Sequence, residues 1–278
     1  MNMKRGNLKF FFFLLTLLLP MAGLAQDGNV RLKVVSFNVR SFEPDFDVKP
    51  YAELLRGLNA DIICLNEVEN RSSRQMVGGK YRDVVQDLAN ELGMFGLFGY
   101  SYNLGNKDGR LPEKDFTYTT NELYGNAILS RYPIMFAQAM QLPRPQGSSD
   151  QRGVLVTEIL LPSMKQVRVA VTHLDHVGGQ MEQAEVLLTD KVLSSTLPTL
   201  LLGDLNVWPY NPVIQRLGTK YMRLDNDMAT YQSGIKLDYV LGTKDKWRMI
   251  SSEVLPRTLH GKELSDHAPL VSVVELVN

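Results

Sequence analysis

The chain has 278 residues, 44% hydrophobic and 22% charged, and its 30 basic and 30 acidic side chains leave a formal net charge of zero. These values exclude a disordered or fibrous protein and describe an ordinary globular one, long enough to bury a core without staples. The absence of a Lys/Arg run or basic tail gives no support to tight non-specific nucleic-acid binding, which depends on phosphate neutralisation.

The chain starts with Lys4, Arg5 and Lys9, an apolar run over residues 10–19, then Pro20 and small residues up to Ala25. That order is the one of a secretory signal peptide, with Gly23 and Ala25 at the small positions before a cut ahead of Gln26. The run is short for a bilayer span, which needs about 20 residues; the alternative is an uncleaved membrane anchor. Export to the periplasm or outside the cell is the expectation, with residues 26–278 as the mature domain and no transmembrane segment in it. Removing the leader takes three positive charges from thirty, leaving 27 basic against 30 acidic side chains, a net of −3.

Beyond the leader, strands and helices alternate. Residues 32–37 read as a strand, 51–58 as a helix, 61–65 as a second strand and 81–92 as a second helix. Residues 95–109 are rich in Gly and aromatics and stay unassigned, and 107–120 read as a polar loop. Four closely spaced strands follow at 125–129, 134–141, 154–161 and 167–174, a run that favours antiparallel pairing. A helix at 180–193, a fully apolar strand at 199–205 and a short helix at 212–217 come next. Strands at 237–241, 249–255 and 269–277 close the chain. There is no linker or repeat, and the mixture suggests an α/β protein with large mixed sheets. Cys64, the only cysteine, sits inside the apolar run Ile62-Ile63-Cys64-Leu65, so it reads as a packing residue and no internal disulfide can form.

Polar groups interrupt the strands at their ends. Asn38 follows Val34-Val35-Ser36-Phe37, and Glu67 follows the second strand. His173 and Asp175 end a third strand, and Asp204 and Asn206 end Leu200-Leu201-Leu202-Gly203. Asp238 lies in Lys236-Leu237-Asp238-Tyr239, and Asp266 and His267 precede the last strand. Each alone suits a turn; together, strand ends on one sheet edge can converge on a cleft. Glu67, Asp266 and Asn38 are hard oxygen donors that suit Mg²⁺ or Mn²⁺ rather than Zn²⁺, and no HExxH or Cys/His cluster argues for zinc. Neither a GxSxG nor a Walker A sequence is present. Hydrolysis of a phosphate ester needs offset charge, an activated water and donors for the phosphoryl oxygens, which His173, His267, Asn206, Asp204 and Asp238 can supply.

An ordered series of motifs spanning residues 36–270 carries a family resemblance. Ser36-Phe37-Asn38-Val39, Asp61-Ile62-Ile63-Cys64-Leu65-Asn66-Glu67-Val68 and Gly203-Asp204-Leu205-Asn206 resemble the signatures of the endonuclease/exonuclease/phosphatase superfamily. The segment from Tyr124 to Ile134, Thr172-His173-Leu174-Asp175-His176, Leu237-Asp238-Tyr239 and Ser265-Asp266-His267-Ala268-Pro269 complete the set. The resemblance implies a DNase I-like, four-layer α/β/β/α sandwich of two packed mixed β-sheets. It implies that Asn38, Glu67 and Asp266 hold Mg²⁺ or Mn²⁺ and that Asp204 orients or deprotonates the attacking water. Asn206 would steady that water or a phosphate oxygen. His267, bonded to Asp238, and His173 would contact phosphoryl oxygens, and Arg152 matches a basic position facing the phosphate.

The chain departs from the abasic-site repair branch at Arg40, where an acid often stands. His176 fits either a turn-stabilising hydrogen bond or a catalytic role, His260 reads as solvated, and Trp208 suits either packing or the cleft flank. The expected function is an exported metal-dependent phosphodiesterase, acting as an endonuclease or on small phosphoesters such as inositol phosphates and phospholipid headgroups. The other class is a non-catalytic binding protein on the same fold. A monomer without a stable protein partner is expected. Specificity is expected in the loops 43–49, 71–80, 102–121, 143–150 and 219–233.

Overall fold

The computed structural model describes residues 30–104, 122–162 and 164–277; the expected leader and the whole of the polar loop at 107–120 lie outside the described residues. The strands are β1 (Arg31–Asn38), β2 (Ile62–Asn70), β3 (Phe95–Asn103), β4 (Leu123–Ser130), β5 (Ile134–Gln141), β6 (Gly153–Leu160), β7 (Gln166–His173), β8 (Thr199–Asp204), β9 (Tyr221–Arg223), β10 (Asp238–Thr243), β11 (Trp247–Val254), β12 (Thr258–Leu259), β13 (Lys262–Glu263) and β14 (Leu270–Leu276). The helices are α1 (Lys49–Leu58), α2 (Val84–Leu92), α3 (Gln180–Leu187) and α4 (Pro212–Leu217).

Two six-stranded sheets run in the orders β11-β14-β1-β2-β4-β3 and β5-β6-β7-β8-β10-β9. Both are mixed in the same way. Each has one central parallel pair, β1/β2 in the first and β7/β8 in the second, with antiparallel neighbours on either side. Parallel neighbours cannot be joined by a tight hairpin and need a crossover. Helix α1 lies on the crossover between β1 and β2, and α3 on the one between β7 and β8.

Side-chain parity then builds the layers, because successive residues of a strand point to opposite faces. Leu32 and Val34 of β1 and Ile62 and Cys64 of β2 meet Val169, Val171, Leu200 and Leu202 between the sheets. Val35 and Phe37 point outward onto Tyr51 and Leu55 of α1 and Leu88 of α2. On the far side, Leu201 and Tyr239 pack on Ala184 and Leu187 of α3 and Leu217 of α4. The result is the expected four-layer α/β/β/α sandwich. Each fully buried Val or Leu stabilises it by about 1.5–3 kcal/mol. Cys64 is wholly buried between the sheets, and burial pushes its thiol pKa up, so it is an inert packing residue.

Local chemistry explains where the elements depart from the pattern. Helix α2 begins at Val84 rather than 81 because the Asp83 side chain accepts from Gln86 N and caps it. The predicted helix 180–193 ends at Leu187: Thr189 Oγ1 donates to the Val186 carbonyl, and the chain turns toward Pro198. The unassigned stretch after residue 95 forms edge strand β3. Its Gly99 lets the second sheet approach, since a Cβ there would sit 2.5 Å from Leu155 Cβ. Strand β2 runs past the expected end at 65, with a bulge between Leu65 and Val68. No helix among the described residues is long and apolar enough to cross a membrane.

Candidate active site

The parity that buries Leu32 and Val34 also aims the last residue of β1, Asn38, into the space between the sheets. The same holds for His173 after Val169 and Val171, for Asp204 after Leu200 and Leu202, and for Asp238 before Val240. In register, His173 and Asp238 both pair with Asp204, so three polar residues form one row across β7, β8 and β10. The C-terminal ends of both central parallel pairs therefore open on one cleft, the place where open α/β sheets bind ligands. Gly203 makes the row possible: at φ 140° a Cβ would fall 1.9 Å from the Thr172 carbonyl oxygen.

Glu67 arrives by a different route. It occupies the bulge in β2 with a left-handed φ of 55°, which turns its carboxylate out of the sheet toward Asn38. Asn38 Nδ2 donates to Glu67 Oε1 at 2.9 Å and, across the sandwich, to Asp204 Oδ2 at 3.2 Å. Asn206, at φ 51°, folds back so that its own N–H meets Asp204 Oδ1 at 2.9 Å. Its Nδ2 donates to the Leu174 carbonyl, and its amide lies 2.9 Å from His173 Nε2.

Asp204 Oδ2 is the hub. His173 Nε2 stands 3.4 Å from it and His267 Nε2 3.6 Å. His267 Nδ1 is 2.8 Å from Asp238 Oδ2, and Ser265 Oγ, which donates to the Asn38 carbonyl, accepts the His267 backbone N–H. The Tyr231 ring packs against the imidazole with centroids 4.9 Å apart.

The charges follow from these contacts. Burial works against a charged His267, but Asp238, then Asp204 and Asp266, outweigh it and raise the pKa to about 10. That ring is therefore a protonated donor near neutral pH. His173 goes the other way: burial, then the Arg152 guanidinium, hold it well below the usual imidazole value and keep it neutral. Asp204 is raised to about 7 by burial and the Asp238 carboxylate, which suits a base poised near neutrality.

The cleft, about 370 Å³, is lined by Glu67, Arg152, His173, Asp204, Asn206, Asp266 and His267 among others. Asn38 and Asp238, the other two expected site residues, stand behind it and hold Glu67, Asp204 and His267 in place. Arg152 is buried, and its NH1 and NH2 reach the Nδ1 atoms of His173 and His176.

The chemistry of the donors fits a divalent cation. Glu67, Asp204, Asp238 and Asp266 crowd one end of the sandwich, and the buried Asp238 Oδ1 has no partner among the described residues. Asp204, Asp238 and His267 offer ligand atoms within 4.8 Å of one another. With His267 protonated, however, the ring has no free lone pair, so the carboxylates of Glu67 and Asp266, which line the cleft, are the better-suited donors. Asn38 was expected beside them, but its Oδ1 accepts the Arg40 N–H and its Nδ2 faces Glu67.

Sequence reading missed the residues that join the sheets. Asn66 Nδ2 donates to Asn126 Oδ1 and to the Thr172 carbonyl, and its Oδ1 accepts the Asp204 N–H. Asn126 Nδ2 in turn donates to the Gly153 carbonyl. Thr230 Oγ1 accepts from the N–H groups of Leu237 and Asp238 and seats the start of β10. An Asn beside a run of apolar strand residues was the available signal for Asn66; nothing marked Thr230. Outside the site, His260 pairs with Glu53 on the surface, and Trp208 is 59% exposed rather than packed.

A family model described as the endonuclease/exonuclease/phosphatase family matches residues 35–267. The uncharacterized protein YbhP of Escherichia coli is 24% identical over 196 residues, covering 66% of this chain and 70% of its own length. Among solved structures, an endonuclease/exonuclease/phosphatase from Beutenbergia cavernae is similar with a TM-score of 0.70 and 22% identity, covering 89% of this chain and 72% of that one. The human Nocturnin catalytic domain with a bound sulfate anion has a TM-score of 0.64 and 18% identity, covering 89% and 94%.

Proposed function

This chain belongs to the endonuclease/exonuclease/phosphatase family of phosphate-ester hydrolases, and from that premise we propose an exported, divalent-metal-dependent phosphodiesterase acting on nucleic acid or on small phosphoesters. One observation supports catalysis above all: Asp204, with its pKa near 7, shares a buried cluster with a protonated His267 and a neutral His173. A binding protein gains nothing from a base and an acid held 3.6 Å apart.

Each residue has a part in the reaction. Asp204 takes the proton of the attacking water, which Asn206 steadies. The water oxygen bonds to phosphorus as the ester P–O bond breaks, and the departing oxygen takes a proton from solvent. His267 donates Nε2–H to a phosphoryl oxygen and, through Asp238, keeps its charge as negative charge builds in the transition state. His173, neutral, contacts a second phosphoryl oxygen from the cleft wall. Glu67, oriented by Asn38, and Asp266 would hold Mg²⁺ or Mn²⁺, which would supply charge neutralisation for the phosphate. The apolar run and small residues before Gln26 support export.

The test is nicking of supercoiled plasmid by the protein in Mg²⁺, with EDTA and His267→Ala as controls. Nicking that is lost in both controls supports the reading. No nicking by folded protein, together with hydrolysis of inositol phosphates or phospholipid headgroups, moves the substrate to small phosphoesters.

A further inference from the structure

His176 is exposed on the wall of the catalytic cleft and has no part in the chemistry described above. Its Nδ1 is 3.2 Å from NH2 of Arg152, whose NH1 is 3.0 Å from Nδ1 of His173. A guanidinium carries only donors and does not lose its proton. Both Nδ1 atoms must therefore accept, which leaves Nε2 to carry the ring proton of His176. For His173, Nε2 meets the Asn206 amide nitrogen at 2.9 Å. The His176 Nε2–H instead faces the cleft, with no partner among the described residues.

The turn beneath His176 is fixed. Asp175 is fully buried; its Oδ1 accepts the Val177 N–H at 2.8 Å, and its Oδ2 accepts from Ser148 Oγ. Its own N–H is bound by Gln183 Oε1 at 2.8 Å. A donor on an anchored turn, with a set tautomer and an open direction, is pre-organised for an acceptor from outside.

We propose that His176 is a specificity-determining residue whose Nε2–H binds an oxygen acceptor on the substrate beyond the reacting phosphate, and that Arg152 is the positioning residue that sets its tautomer. The acceptor is the oxygen of a neighbouring phosphate or of a hydroxyl. This rests on the phosphoester-hydrolase reading of the site. It predicts discrimination: a site built to hydrogen-bond a substrate oxygen disfavours a substrate that lacks it.

Two measurements test it. The first compares kcat/KM of wild type and His176→Ala on a short oligonucleotide, an inositol phosphate and bis(4-nitrophenyl) phosphate, whose leaving group offers only weakly accepting nitro oxygens. The ratio of an oxygen-rich ester to the nitrophenyl ester should fall about tenfold in His176→Ala, the order expected for one lost hydrogen bond. His176→Gln, which keeps an N–H at similar reach, should restore part of it. The arm that falls identifies the acceptor as phosphate or hydroxyl. An unchanged ratio in both arms overturns the proposal, and a wild type inactive on every ester overturns it together with the function it rests on. The second is nitrogen NMR of the imidazoles without substrate. Wild type should show His176 with a bare Nδ1 and a protonated Nε2, and Arg152→Met should lose that preference. A wild-type His176 protonated on Nδ1 overturns the positioning role whatever the substrate.

Discussion

Asp238 Oδ2 lies 2.8 Å from Nδ1 of His267, with both side chains buried between the sheets. Burial alone would strip the ring of its proton; the Asp238 carboxylate reverses this and brings the pKa to about 10. Asp238→Asn removes the charge while keeping the shape. The ring then falls toward or below the ordinary value of about 6.5, and at pH 8 it is no longer an acid. Turnover at that pH should drop by about 10²-fold or more. The alkaline limb of the kcat profile should move from near pH 10 to well below pH 8. A variant with the wild-type profile would remove this pair from the mechanism.

Asp204 carries the opposite sign for stability. Its pKa is raised from 3.8 to about 7, first by burial and then by Asp238. A folded-state value above the unfolded one gives stability that is fully present below about pH 3.8 and is lost as pH rises through 7. Above pH 7 the ionised carboxylate weakens the fold. In EDTA, Asp204→Asn should therefore raise Tm at pH 8 by roughly 2–6 °C, as about 1–2 kcal/mol does for a domain of this size, with no such gain at pH 4. Thermal scans at the two pH values decide it; equal shifts at both would show that the charge is not the cause.

Asn66 joins the two sheets beneath the cleft through three buried hydrogen bonds. Asn66→Ala leaves the Thr172 carbonyl, Asn126 Oδ1 and the Asp204 N–H without that partner. Unsatisfied buried groups cost about 1–3 kcal/mol each, so a loss of about 3 kcal/mol or more in urea unfolding is expected. Activity per folded molecule should also fall, because the Asp204 backbone loses its tether. A loss below about 1 kcal/mol would show that the sheets do not depend on this side chain.

Glu67 stands on a bulge, with its side chain 28% exposed and bonded to Asn38. Glu67→Gln removes one negative charge from the oxygen donor set with little effect on packing. Calorimetric titration should show Mn²⁺ binding weakened by about tenfold or more, while Tm in EDTA stays within about 2 °C of wild type. Unaltered Mn²⁺ affinity would move the metal away from Glu67.

The layered fold was legible because its strands repeat the simplest signal, apolar runs ended by polar residues. Asn38, His173, Asp204 and Asp238 stood out for the same reason: each continues the inward parity of its strand past the point where apolar packing stops. The helix at 180–193 was overextended because apolar spacing persists past Thr189, while a side-chain hydrogen bond ends the helix. Asn66 looked like part of a strand end, since its three partners lie 60 or more residues away in sequence. Arg152 was expected to face the phosphate; its contacts with two imidazoles depend on how the end of β7 meets the start of β6, which no local pattern carries. The short β9 has too few residues to show a period.

Hydrolysis of bis(4-nitrophenyl) phosphate in Mg²⁺, with wild type, Asp204→Asn and added EDTA side by side, tests the central claim most directly. Turnover that falls at least 100-fold in Asp204→Asn and disappears in EDTA would place metal-dependent ester hydrolysis in the Asp204 cluster. Wild-type turnover in the folded Asp204→Asn variant would contradict that assignment.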